Sequence, residues 1–262
     1  MKIGIISGAS SGIGYEIAKL LDENKLDEIW LVARNEERLN ELSGALKTRS
    51  RAFMLDLTNN ESFDILKSEF EKEGVQIDYL VASAGVGYAG EVINNTNEQI
   101  ANMVDINVRA LALFTRCALP YICDGGKIIE IASGAGFLPQ PKFAVYAATK
   151  AFVISFSRAL NKELKKRKIS VTAVCPGPVD TPFFSTLENV KEYKKNHLVS
   201  PYKVAKGAIK ASKKRKSIYS PTFSIKLVHL ISKILPTISS SVCDAFKISS
   251  VSSTTSFGTL SL

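Results

Sequence analysis

Ser133, Tyr146 and Lys150 bring a hydroxyl, a phenol and an ammonium into one short stretch, "IASGAGFLPQPKFAVYAATK". Tyr146 and Lys150 stand four residues apart, so on a helix they share one face. A phenol with a pKa of about 10 is a reluctant acid or base near neutral pH. A neighbouring ammonium favours the phenolate and draws that pKa toward the working range. The trio predicts proton transfer at a carbonyl or alcohol oxygen, with Ser133 holding that oxygen by a hydrogen bond. The bland alternative is a half-exposed Tyr/Lys pair, since the spacing alone is common.

Such chemistry needs a hydride carrier, and the N-terminus offers a place for one. "IISGASSGIGYEIA" runs a strand into a glycine-rich turn and a helix. Gly8, Gly12 and Gly14 let backbone approach a pyrophosphate whose charge meets the helix N-terminus. Ser7, Ser10 and Ser11 add hydroxyl donors. In "EIWLVARNEERL" the second strand ends at Ala33 and Arg34 rather than at an acid. A guanidinium there pairs with a 2′-phosphate, which predicts NADP(H) over NAD(H). The alternative is that Arg34 only opens a surface helix. Asp56, in "MLDLTN", either accepts from the adenine amino group or caps the next helix.

These residues converge only if the chain builds a sheet that brings strand ends together. Short apolar runs alternate with amphipathic stretches, which predicts an α/β fold: a doubly wound parallel sheet (Rossmann-type) of about seven strands with helices on both faces. Strands are expected over Lys2–Ser7, Glu28–Ala33, Arg51–Leu55, Tyr79–Ser83, Lys127–Ala132, Ser170–Cys175 and Ser217–Tyr219. Helices are expected over Gly12–Asn24, Glu36–Lys47, Asn60–Glu73, Glu98–Pro120, Val145–Arg167 and Pro201–Lys213. Residues at the carboxyl ends of such strands face the ligand crevice, which places Ser133 beside the start of the helix bearing Tyr146 and Lys150.

Residues 1–220 form one catalytic and cofactor-binding domain on this reading. Residues 221–247 are an apolar, basic helical extension, and the Ser/Thr-rich segment 248–262 is expected to be weakly ordered. "PTFSIKLVHLISKILP" has three readings: it covers the sheet edge or a subunit interface, lies on a membrane as a basic amphipathic helix (residues 221–236), or spans one. Its length and two lysines, Lys226 and Lys233, disfavour a span.

Composition narrows the function classes. The net charge of +9 is concentrated in residues 158–216, which hold 16 Lys/Arg against four acids. The runs "KELKKRK" and "KKRK" close helices, where cations complement the dipole. They read as a solvated basic face, or as attraction for a phosphorylated cofactor or anionic membrane. Plain lysine runs without interleaved aromatics argue against nucleic acid. Cys117, Cys123, Cys175 and Cys243 show no CxxC and no histidine nearby, so no metal is expected and a reducing, cytoplasmic setting is. The start of the chain predicts no signal peptide.

In combination these motifs resemble the short-chain dehydrogenase/reductases over residues 1 to about 220. "SGASSGIG" is similar to the family's TGxxxGxG, with Ser7 in place of threonine, and Ser133 with Tyr146-x-x-x-Lys150 matches its catalytic core. The resemblance implies that Asn107 in "DINVRA" positions a water in a proton relay. It implies that Pro176, Gly177, Val179 and Thr181 in "CPGPVDTPF" lie beside the nicotinamide, and that Ile13, Leu57, Ala84 and Gly85 join the cofactor set. One departure is Ala82-Ser83-Ala84-Gly85, where the family reads NNAG. Family members commonly pair through the long helices, which here carry apolar residues on several faces, so a homodimer or homotetramer is expected.

The implied activity is reduction of a ketone or aldehyde. Tyr88, Phe137, Leu138, Phe143, Phe183 and Phe184 make the surrounding loops apolar, pointing to a lipophilic small-molecule substrate. A non-catalytic NADP(H)-binding sensor or scaffold of the same fold is the alternative, as is an isomerase or epimerase.

Overall fold

Parallel strands buried on both faces must be apolar nearly throughout, and the stretches 3–6, 29–32 and 79–82 of this chain are. The computed structural model describes residues 1–185 and 198–234. In chain order it contains β1 (Lys2–Ser7), α1 (Gly12–Leu21), β2 (Glu28–Ala33), α2 (Glu36–Ala45), β3 (Ser50–Met54), α3 (Glu61–Glu73) and β4 (Gln76–Ala82). Then follow α4 (Asn97–Val104), α5 (Leu111–Ala118), β5 (Ile122–Ile131), α6 (Ala144–Glu163), β6 (Ser170–Val174), α7 (Pro182–Ser185), α8 (Pro201–Lys213), β7 (Ile218–Tyr219) and α9 (Phe223–Ile234). The seven strands pair in parallel in the order β3-β2-β1-β4-β5-β6-β7.

Alternate residues of each strand feed opposite cores. Ile5, Trp30 and Val32 pack with Phe63, Leu66 and Phe70 of α3, Phe114 of α5 and Val153 of α6. Ile6, Ile29 and Leu31 pack with Ile17 and Leu21 of α1, Leu39 of α2 and Val204 of α8. The strand order reverses direction between β1 and β4, and that reversal opens a crevice at the strands' carboxyl ends.

Three sequence expectations change. The helix expected over Glu98–Pro120 is broken: Asp105–Ala110 winds as a π-helix between α4 and α5. Its wider turn lets buried Asn107 reach Val86 and Thr149, and those bonds offset the poorer backbone geometry. The fifth strand begins at Ile122 rather than Lys127, because Gly125 adopts a left-handed φ of 81° and Gly126 leaves no room for a Cβ, which would lie 2.6 Å from Ile122. Finally, the basic runs close α6 and α8 just before β6 and β7. They lie at the strands' amino ends, opposite the crevice, and cannot serve a cofactor held there.

The extension over α9 folds back onto the loop after β5. Val228 is buried against Leu138, His229 stacks on Phe137 with ring centroids 4.3 Å apart, and Ile225 abuts Gly134 and Gly177. This is packing on the protein body, at the crevice rather than the sheet edge. Phe223 and Leu230 face outward. Among the described residues no helix is long and apolar enough to cross a membrane. Expectations for Leu235, Pro236, Cys243 and the segments 235–247 and 248–262 lie outside the described residues, as does the Phe184 side chain.

Candidate active site

The glycine turn after β1 is shaped by close approach. Gly8 has φ 66°, and a Cβ there would lie 2.7 Å from the Ala84 nitrogen. Gly12 has φ 59°, with the Thr181 methyl 3.0 Å from where its Cβ would be. Both line a cleft of about 360 Å³ together with Ser10, Ser11 and Ile13. The Ser11 side chain makes no cap bond at the start of α1, so the helix opens toward the cleft with uncapped amides.

Two members of the expected cradle do another job. Ser7 is buried; its hydroxyl accepts from the Ser83 and Ala84 amides and donates to the Val81 carbonyl. As the last residue of β1 it stitches that strand to the end of β4, and offers nothing to a phosphate. Gly14 lies off the cleft, where a Cβ would come within 2.4 Å of the Gly8 carbonyl oxygen. Its role is to seat α1 on the turn.

Arg34 follows β2 at the cleft rim, and its Nη1 lies 4.0 Å from Asp56 Oδ2. Sequence reading placed no acid here; the third strand's end supplies one. Asp56 Oδ1 accepts from the Thr58 amide at 2.9 Å and hydroxyl at 2.8 Å. Partial burial raises its pKa, but the Thr58 bonds and Arg34 outweigh that and hold it below the usual carboxylate value. Asp56 therefore organises its own turn rather than capping α3, whose N-cap is Asn60. Leu57 and Thr58 complete this end of the cleft.

At the other end Ser133, Tyr146 and Lys150 converge as the spacing predicts, all lining the same cleft. Tyr146 is 6% exposed and Lys150 4%. The Ser133 hydroxyl accepts from the Ala135 amide at 3.1 Å. Lys150 Nζ donates to the Ile131 carbonyl at 2.9 Å and sits 5.7 Å from the Tyr146 ring centroid.

The electrostatics differ from the sequence expectation. Burial pushes the Tyr146 phenol up to about 12, against the pull of Ser133, and burial brings Lys150 down to about 8. Desolvation disfavours both charged forms, and at the phenol it outweighs the pull of Ser133.

Asn107, expected to position a water, is fully buried and spends its amide elsewhere. Its oxygen accepts from Val86 N, while its nitrogen donates to Val86 O and Thr149 Oγ1. It clamps the wall after β4. A Cβ on Gly85 would lie 3.1 Å from Asn107 Oδ1 and 3.3 Å from Lys150 Nζ, so this glycine lets strand end, amide and ammonium meet. Ala84 and Gly85 line the cleft as expected, and Val86 and Ile106 join them.

Cys175 has no role in the sequence reading of the site. It is buried at the end of β6 within electrostatic reach of Lys150, and burial pushes its pKa up to about 12. Its place directly before Pro176, at a strand's carboxyl end, was the available signal. Pro176, Gly177, Val179 and Thr181 line the cleft below α9.

The apolar loop residues divide into two groups. Phe143 stacks on Tyr146 at 4.3 Å, Phe183 lies 5.6 Å from it, and Tyr88 joins the same cluster. Phe137 and Leu138 turn instead toward α9.

Comparison with known proteins agrees with this geometry. Residues 2–192 match the family described as short chain dehydrogenase. An uncharacterized oxidoreductase of Staphylococcus epidermidis is 39% identical over 184 residues, covering 69% of this chain and 79% of the relative. The 3-ketoacyl-(acyl-carrier-protein) reductase from Brucella melitensis, complexed with NADH, superposes with a TM-score of 0.71 at 27% identity, over 84% of this chain and 94% of that one. A short chain dehydrogenase from Burkholderia cenocepacia in complex with NADP gives a TM-score of 0.74 at 25% identity, over 84% and 95%. The chain belongs to the short-chain dehydrogenase/reductase family of oxidoreductases.

Proposed function

We propose that this protein is an NADP(H)-dependent reductase that converts a lipophilic ketone or aldehyde to an alcohol. The observation that carries the reading is the convergence of Ser133, Tyr146 and Lys150 in the same cleft as the glycine turn. The residues fit a dinucleotide: Gly8 and Gly12 leave a cradle that a Cβ would fill, and α1 opens uncapped toward it.

A bound reduced nicotinamide would supply hydride to the carbonyl carbon. Ser133 orients the carbonyl oxygen and Tyr146 delivers its proton as negative charge develops there. A phenol held protonated by burial is suited to that acid role. Lys150, buried and paired with no carboxylate among the described residues, stabilises the phenolate left behind, and Asn107 fixes the wall at Val86. Ser10, Ser11, Gly12 and Ile13 would hold the pyrophosphate, with Pro176, Gly177, Val179 and Thr181 at the nicotinamide end. Arg34 would take the 2′-phosphate in exchange for its longer contact with Asp56. Phe143, Phe183 and Tyr88 make the substrate side apolar, which supports a lipophilic carbonyl.

The free thiols of Cys117, Cys123 and Cys175 suit a reducing, cytoplasmic setting. Phe152, stacked on Phe156 on the outer side of α6, suits pairing of two copies through that helix.

The test is oxidation of NADPH by the purified protein across a panel of lipophilic ketones and aldehydes, with NADH in parallel. Turnover with tighter binding of NADPH than NADH supports the reading. Equal affinity for the two removes the NADP preference, and tight NADPH binding without turnover of any carbonyl turns the reading toward a sensor.

A further inference from the structure

One fully buried acid has no part in the chemistry above. Glu130 sits in β5 next to Ile131, whose carbonyl holds Lys150, and three residues before Ser133. It is 0% exposed. Its Oε1 is 3.1 Å from Thr115 Oγ1 on α5, and its Oε2 is 2.5 Å from Ser157 Oγ on α6. Ser157 Oγ also lies 2.7 Å from the Val153 carbonyl oxygen.

Counting hydrogens decides the state of this cluster. The serine hydroxyl carries one hydrogen, and a carbonyl oxygen only accepts. If Ser157 donates to Val153, it presents lone pairs to Glu130, and the short contact requires a proton on the carboxyl. If Ser157 donates to an ionised Glu130 instead, the Ser157 and Val153 oxygens face each other with no proton between them. One added proton satisfies every contact: Glu130 donates to Ser157, Ser157 to Val153, and Thr115 to the other carboxyl oxygen.

The surroundings favour the same state. From α5 Glu130 meets Thr115, from α6 Ser157, and its sheet partners are Ala82 on β4 and Ala173 on β6. Lys150, on the same helix as Ser157, binds the next residue's carbonyl. No ion pair among the described residues reaches the carboxyl. Burial lifts its pKa to about 7 even against donation by both hydroxyls. With the Ser157 hydrogen committed to Val153, the acid is held more firmly still.

We propose that Glu130 works as a neutral carboxylic acid, a positioning residue whose proton completes a strut from α5 through β5 to α6 and so holds Tyr146 and Lys150 at the cleft. The strut joins the elements that carry the site: α5 continues the π-helix bearing Asn107, β5 leads to Ser133, and α6 bears Tyr146 and Lys150. Its positioning role rests on the reductase reading; its protonation does not.

Glutamine is the matching probe, because its amide donates where the acid's hydroxyl donates and its oxygen accepts from Thr115. Infrared spectra of the full-length protein near neutral pH are expected to show a protonated-carboxyl stretch that disappears in Glu130→Gln. Glu130→Gln should match the wild-type melting midpoint at and below pH 4.5, pull ahead of it as pH rises from there to about 7, and keep that lead above, whereas Glu130→Ala should melt lower at every pH. In turnover, wild-type kcat should fall with a midpoint near or above neutrality with KM retained, and Glu130→Gln should lack that fall. No protonated-carboxyl band, or a glutamine variant as destabilised as the alanine variant at every pH, overturns the proposal. Absence of turnover with every carbonyl counts against the reductase reading alone. Positioning is then read from amide exchange of α6, which must loosen on the same midpoint in wild type and not in Glu130→Gln; loosening in both overturns it.

Discussion

The Lys150 ammonium is anchored by the Ile131 carbonyl 2.9 Å away, and no carboxylate hydrogen-bonds or ion-pairs with it among the described residues. A buried charge held only by a dipole is costly, which is why burial brings its pKa down to about 8. Between that value and the unfolded value of 10.5, the folded chain binds fewer protons than the unfolded one, so stability rises with pH across this window. Below it the penalty is constant. Lys150→Met removes the penalty and is expected to be more stable than wild type near neutral pH by about 1–3 kcal/mol, while losing turnover. The advantage should shrink as pH climbs toward 10.5. Urea midpoints across that range check it, and a methionine variant less stable than wild type at neutrality contradicts it.

The turn after β1 tolerates no side chain at Gly8. Its left-handed φ of 66° and the Ala84 amide 2.7 Å from a would-be Cβ combine conformational strain with a backbone clash. Gly8→Ala is expected to lose about 1–3 kcal/mol of stability and to weaken NADPH binding by at least tenfold. Melting and cofactor fluorescence titrations read the two effects separately. An unchanged dissociation constant in a folded variant removes Gly8 from the cradle.

Arg34 and Asp56 form an exposed pair at 4.0 Å, so the pair itself contributes little to stability. Its consequence lies in cofactor choice. Arg34→Leu is expected to weaken NADPH by about ten- to a hundredfold and leave NADH almost unchanged, consistent with loss of a charge-assisted phosphate contact. Asp56→Asn should move NADPH affinity the other way, more strongly at low salt. Equal losses of NADPH and NADH in Arg34→Leu would place the guanidinium elsewhere than at the 2′-phosphate.

Much of this was legible in the sequence because it is local. Short apolar runs between amphipathic stretches located all seven strands, and the four-residue spacing placed Tyr146 and Lys150 on one helix face beside Ser133. What stayed hidden depends on contacts between distant residues. Ser7 reads as a phosphate donor until β4 lies beside it and takes its hydroxyl for Ser83 and Ala84. The π-helix at Asn107 has no composition signal; it exists because Val86 and Thr149 wait across the site. Asp56 looks like a lone acid until β2 and β3 end together and set it against Arg34. The lowered Lys150 pKa and the raised phenol pKa follow from burial, which spacing alone does not report.

The central claim is that Tyr146 is the proton donor in carbonyl reduction. Its most direct test compares NADPH oxidation by wild type and Tyr146→Phe on a carbonyl that the wild-type protein turns over, with NADPH affinity measured beside it. The phenylalanine ring keeps the stacking with Phe143 and loses only the hydroxyl. A fall in kcat of at least about a hundredfold with NADPH affinity retained is the predicted result. Turnover near the wild-type rate in Tyr146→Phe would contradict it.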